Sequence, residues 1–84
     1  MSKVKKIVYN VDSSVIDKIC YLTDMRELFV KFNSGSVYEY FNVPIHIVNW
    51  LMSVDSVGSF FCKYIRNSFT YVKLVDVIIF EIDC

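Results

Sequence analysis

The sequence predicts an α+β domain: an antiparallel sheet of four to five strands in meander order, with two helices packed on one face. Three observations carry the prediction. Up to Phe41, β-branched and aromatic residues come in short runs separated by polar turns. At Pro44 the apolar spacing changes from two to three and four. From Tyr71 to Ile82 a β-branched run returns.

Lys5 to Val11 reads as the first strand, with Asp12-Ser13-Ser14 as the turn after it. Val15 to Tyr21 is the second, Asp24-Met25-Arg26 a turn, and Glu27 to Phe32 the third strand. Asn33-Ser34-Gly35-Ser36 tolerates positive φ and bonds its own backbone, so it reverses the chain into a fourth strand, Val37 to Phe41. Side chains alternate faces along a strand, and Glu27, Lys31 and Glu39 prefer water. Leu28, Val30, Phe32, Tyr38 and Tyr40 therefore share the inward face.

Pro44 suits a first helical position, because its fixed φ is preset and its missing N–H is one the helix leaves unpaired anyway. From Pro44 to Met52, Ile47, Val48 and Leu51 form an apolar stripe opposite His46, Asn49 and Ser53. Trp50 borders the polar stripe and is expected to be partly exposed. Ser56 is an N-cap for a second helix, Val57 to about Asn67, whose buried face is Val57, Phe60, Phe61, Tyr64 and Ile65. Ser59, Lys63, Arg66 and Asn67 fall on its solvent side.

Eighty-four residues make one domain, residues 1–84, and 55% of them are hydrophobic. A domain of this size buries only about 60–65% of its unfolded surface, so a dense core is needed and disorder is excluded. The longest apolar run, Val77 to Phe80, is too short to span a bilayer, and Met1 to Lys6 lead into no signal-like block. No membrane association and a cytoplasmic location are expected. Nine basic and nine acidic side chains balance, which argues against an indiscriminate nucleic-acid binder. Cys20, Cys62 and Cys84 are widely spaced, without a Cys-x-x-Cys pair, so they are read as reduced, with Cys20 and Cys62 buried.

Val11-Asp12-Ser13-Ser14, Tyr21, Leu28-x-Val30-x-Phe32, Gly35-x-x-Tyr38-x-Tyr40 and Val43-Pro44 occur in that order. Ser56-x-Gly58-x-Phe60-Phe61 and Ile65-Arg66 follow. This ordered set resembles the KTSC domain, a module at the C-terminus of some lysyl-tRNA synthetases that also occurs as small stand-alone proteins of bacteria and phages. The resemblance covers about residues 11–69, leaving 70–84 as a C-terminal strand extension. It implies a Tyr-x-Tyr centre and, from the synthetase context, RNA binding. Cys20 and Cys62 depart from it, standing where glycine and asparagine are common, and the second departure weakens any polar site that the asparagine shares.

Two readings attach to each candidate residue. Tyr38 and Tyr40 are core by the strand pattern, or a stacking platform for bases. Ser56, Gly58 and Ser59 are a cap with a glycine packed tightly against the sheet, or a helix start that holds a phosphate, completed by Arg66 with Lys63 and Lys73. Lone His46 and the scattered carboxylates offer neither a metal site nor a catalytic pair, so no cofactor, no metal and no enzymatic activity are expected. The leading expectation is a non-catalytic binding module, of phage type, that docks on and inhibits a host protein or ribonucleoprotein. Trp50 and self-association through the 71–82 strand would supply its contacts. The alternatives are an RNA-binding accessory module and a sequestering protein for an anionic nucleotide.

Overall fold

The computed structural model describes residues 6–11 and 13–74. Five strands form one antiparallel sheet whose spatial order is the sequence order: β1 (Lys6–Asn10), β2 (Ile16–Leu22), β3 (Glu27–Phe32), β4 (Val37–Tyr40) and β5 (Tyr71–Leu74). The remainder of the expected C-terminal strand, past Leu74, lies outside the described residues, as does Cys84. Between β4 and β5 run α1 (Ile45–Leu51) and α2 (Val57–Phe60), the latter continuing as a π-helical turn, Phe61–Ile65.

The turns follow from residue chemistry. Gly35 takes φ +98, and the Phe32 N–H donates to the Ser36 carbonyl at 2.9 Å to close the β3–β4 reversal. Arg26 and Asn42 also take positive φ, 56 and 59. The bond from the Val43 N–H to the Arg26 carbonyl, 2.9 Å, ties their two loops together. Tyr21 supports the same corner, since its buried hydroxyl donates to the Val43 carbonyl. Pro44 then stands at the cap position of α1.

Alternation divides the sheet as the side chains demand. On one face Ile19, Tyr21, Leu28, Val30 and Tyr40 meet Val48, Leu51, Phe60, Phe61 and Ile65 of the helices in the main core, with Phe32 and Tyr38 packed at its margin. The opposite face is less polar than Glu27, Lys31 and Glu39 suggest. Cys20, Leu22, Phe29 and Val37 form a second buried cluster there. Beside it, burial, a hydrogen bond to Glu27 and the Glu27 charge push the Glu39 carboxyl up to about 7.

The second helix corrects the sequence reading twice. Ser56 caps it as expected, accepting from the Ser59 N–H at 3.4 Å. From Phe61, however, the backbone bonds step by five residues, with the Arg66 N–H donating to the Phe61 carbonyl at 2.9 Å. The wider turn breaks the i, i+3, i+4 spacing that had put Tyr64 on the buried face, and Tyr64 is 48% exposed. Cys62, expected to be buried as a small apolar residue, is exposed, since it lies off the apolar stripe of the helix.

Candidate binding site

The π turn also builds a site. In a regular α-helix, residues five apart diverge by about 140°. Here Phe61 and Arg66 are joined across one turn, and both line a cavity of about 440 Å3 against the sheet. Tyr38, Tyr40 and Tyr71 of β4 and β5 supply further wall, and Cys62 lies beside Arg66 on the helical side. The rim is made by two turns, Ser14–Val15 and Asn33–Ser36. Asn33 fastens one turn to the other: its N–H donates to the Val15 carbonyl at 2.8 Å and its side-chain amide to the Ser13 carbonyl at 3.1 Å.

Aromatic rings give the cavity its shape. Tyr40 and Tyr71 are cross-strand partners with ring centres 5.3 Å apart, and Tyr38 sits 5.7 Å from Tyr71. Phe61 meets Tyr40 edge-on at 5.4 Å and Phe32 at 5.6 Å. Tyr40 is only 2% exposed, yet among the described residues its hydroxyl makes no hydrogen bond. Burial, then the neighbouring Tyr71 and Tyr38 phenols, push that hydroxyl up to about 12, with the Arg66 guanidinium pulling the other way. It therefore keeps its proton at any physiological pH. The Tyr40 O–H and the Arg66 guanidinium, each able to donate to an anion, line the same space.

A second cavity of about 400 Å3 adjoins the first, sharing Ser14, Val15 and Cys62 with it. Its walls are Ser13, Asp55, Ser56, Val57, Gly58 and Ser59. The Ser56 oxygen already takes the Ser59 N–H, and the Ser56 carbonyl takes the Phe60 N–H. With the Ser59 N–H taken by the cap and Asp55 at the wall, this helix start is a poor phosphate cradle. A Cβ on Gly58 would stand 3.5 Å from the Ser13 oxygen, an ordinary contact, so the glycine is not there for tight packing against the sheet.

The residues singled out in the sequence thus separate into groups. Tyr38, Tyr40 and Arg66 share the first cavity, while Ser56, Gly58 and Ser59 share the second. Lys63 and Lys73 line neither. Trp50, 52% exposed, stacks on Tyr64 on the other flank of the second helix, with ring centres 5.7 Å apart at 20°. Among the lining residues not named as candidates from the sequence, Tyr71 and Cys62 stand beside Tyr40 and Arg66. Tyr71 is placed by its register with Tyr40, which only the pairing of β5 with β4 reveals, and Cys62 by the π turn.

The profile of the KTSC domain matches residues 12–69, well over half of the chain. The chain belongs to the KTSC domain family. A crystal structure of a KTSC domain protein from Yersinia pestis superposes with a TM-score of 0.79 at 32% identity, covering 84% of this chain and 100% of that one. Lysine–tRNA ligases of Trichormus variabilis and Nostoc punctiforme are each 38% identical over 63 residues, 75% of this chain. The match spans only 11% of the length of those ligases, so the KTSC region is a small part of them. No described helix is long and apolar enough to cross a membrane.

Proposed function

We propose that this KTSC domain is a non-catalytic, cytoplasmic binding module that holds a nucleotide, free or within a single RNA strand, in the Tyr38–Tyr40–Arg66 cavity. The observation that carries the reading is the convergence of the Tyr40 hydroxyl, unpartnered among the described residues, and the Arg66 guanidinium on one aromatic-walled space. Donors of this kind match phosphate oxygens, and tyrosine rings offer faces on which a base stacks for about 1–3 kcal/mol. The cavity volume lies within the range typical of small-ligand sites, roughly 300–1,000 Å3. Kinship with a region of lysine–tRNA ligases supplies a setting in which RNA is at hand.

A nucleotide panel should raise the melting temperature in a dose-dependent way, because a ligand that binds only the folded state stabilises it. The shift should vanish in Arg66→Ala. Indifference to every nucleotide and short oligonucleotide tested would remove the reading.

A second reading, docking on a host protein or ribonucleoprotein, rests on a different observation. Trp50 and Tyr64 stack while each stays about half exposed, and exposed tryptophan is common at interface hot spots. In that case Trp50→Lys abolishes a specific co-purifying partner and Arg66→Ala does not. Self-association through the 71–82 run belongs to the same reading, and sedimentation at several concentrations, with and without Ile79→Lys, tests it.

A further inference from the structure

The two cavities adjoin and differ in charge. Arg66 is the only basic side chain lining the first, and Asp55 the only acidic one lining either, among the described residues. Between them, Ser14, Val15 and Cys62 belong to both walls. The Asp55 end is rich in hydroxyls. Ser13 accepts from the Val15 and Ile16 N–H groups at 3.1 and 3.2 Å, which leaves its own proton to donate. Ser56 and Ser59 lie oxygen to oxygen at 3.0 Å, so one of their two protons serves the pair and the other is available.

Such an end repels a phosphate and has little affinity for an apolar ring. It suits a neutral group carrying several hydroxyls, since a carboxylate accepts from a hydroxyl in a charge-assisted bond and serine hydroxyls donate or accept in turn. Gly58 keeps this part of the groove open, with no side chain in the way. The first cavity supplies the independent sign of a ligand: Tyr40 lines it, its side chain is 2% exposed, and its hydroxyl has no partner among the described residues.

From this polarity we infer that the two cavities act as one groove and bind a ribonucleotide in one orientation, its phosphate toward Arg66 and Tyr40 and its ribose hydroxyls toward Asp55, Ser13 and Ser59. The inference rests on the nucleotide reading above and adds selectivity for ribose over deoxyribose. Asp55 and Ser59 are its specificity-determining residues, because the 2′-hydroxyl is the group by which a protein tells RNA from DNA.

The test measures affinity for four ligands: a ribonucleoside 5′-monophosphate, a short single-stranded oligoribonucleotide, and the deoxy counterpart of each. The two ribo arms distinguish a free nucleotide from a strand as the source. For the source that binds, the ribo form should be tighter by about tenfold or more, the worth of one hydrogen bond to a charged group. Asp55→Asn and Ser59→Ala should each bring the ratio of ribo to deoxy affinity close to one. Equal ribo and deoxy affinities, with binding still dependent on Arg66, would overturn the inference and leave the nucleotide reading standing. Absence of binding by all four ligands would overturn both.

Discussion

Tyr40→Phe separates fold from site in a single variant. The ring is part of the core: it is 2% exposed and meets Phe61 and Tyr71 at 5.4 and 5.3 Å. Phenylalanine keeps those contacts. The hydroxyl has no partner among the described residues, so its loss breaks no bond in the fold. Removing a hydroxyl that bonds no other group of the fold is neutral or slightly favourable. Tyr40→Phe should therefore change unfolding free energy by between zero and about +1 kcal/mol. In a domain of this size that is a rise in melting temperature of no more than roughly 4–8 °C. Tyr40→Ala, which empties the ring's place, should cost about 3–5 kcal/mol. Binding runs the other way: losing a hydrogen bond to a charged oxygen costs about 1.5–3 kcal/mol, or roughly 10- to 150-fold in affinity. Urea denaturation, read as a change in midpoint at constant slope, gives the first quantity, and calorimetric titration with a nucleotide gives the second. A Phe variant that is less stable by more than 1 kcal/mol yet binds like the parent would refute the assignment of the hydroxyl to the site.

Two further predictions concern the scaffold. The Glu39 carboxyl, raised from 4.5 to about 7, titrates higher in the folded chain than in the unfolded one, so its contribution is complete below about pH 4.5 and is lost as pH rises through 7. The melting temperature should fall between pH 5 and pH 8, and Glu39→Gln should flatten that slope; a slope that survives the substitution assigns the effect elsewhere. Gly35→Ala forces an L side chain to φ +98 with nothing within 4 Å to clash, so its cost is conformational alone, about 1–2 kcal/mol in the denaturation midpoint.

Much of the scaffold was legible because local chemistry and periodicity agree. Asn33 to Ser36 turns where its residues say it must, Ser56 caps where its hydroxyl is needed, and Tyr38 and Tyr40 face inward because Glu39 between them cannot. The second apolar cluster was half hidden: Cys20 was expected to be buried, but Leu22, Phe29 and Val37 alternate with residues that already had an inward face. The site was legible only in fragments. A period of 3.6 assumes α-helical bonds, so the π turn that exposes Tyr64 and swings Arg66 beside Phe61 leaves no periodic trace. Tyr71 enters by long-range pairing with Tyr40, thirty-one residues earlier in the chain, which spacing within one strand does not encode. The charge contrast between Arg66 and Asp55 likewise exists only once the helix is laid along the two turns.

The most direct test of the binding site is an amide chemical-shift map recorded while a short single-stranded oligoribonucleotide is titrated into the isotope-labelled domain. The tyrosine cavity predicts saturable shifts at Asn33, Cys62, Arg66 and Tyr71, continuing to Asp55 and Ser59, with Ile45 to Trp50 unmoved. Shifts confined to Trp50 and Tyr64, or none at saturating ligand, would contradict it.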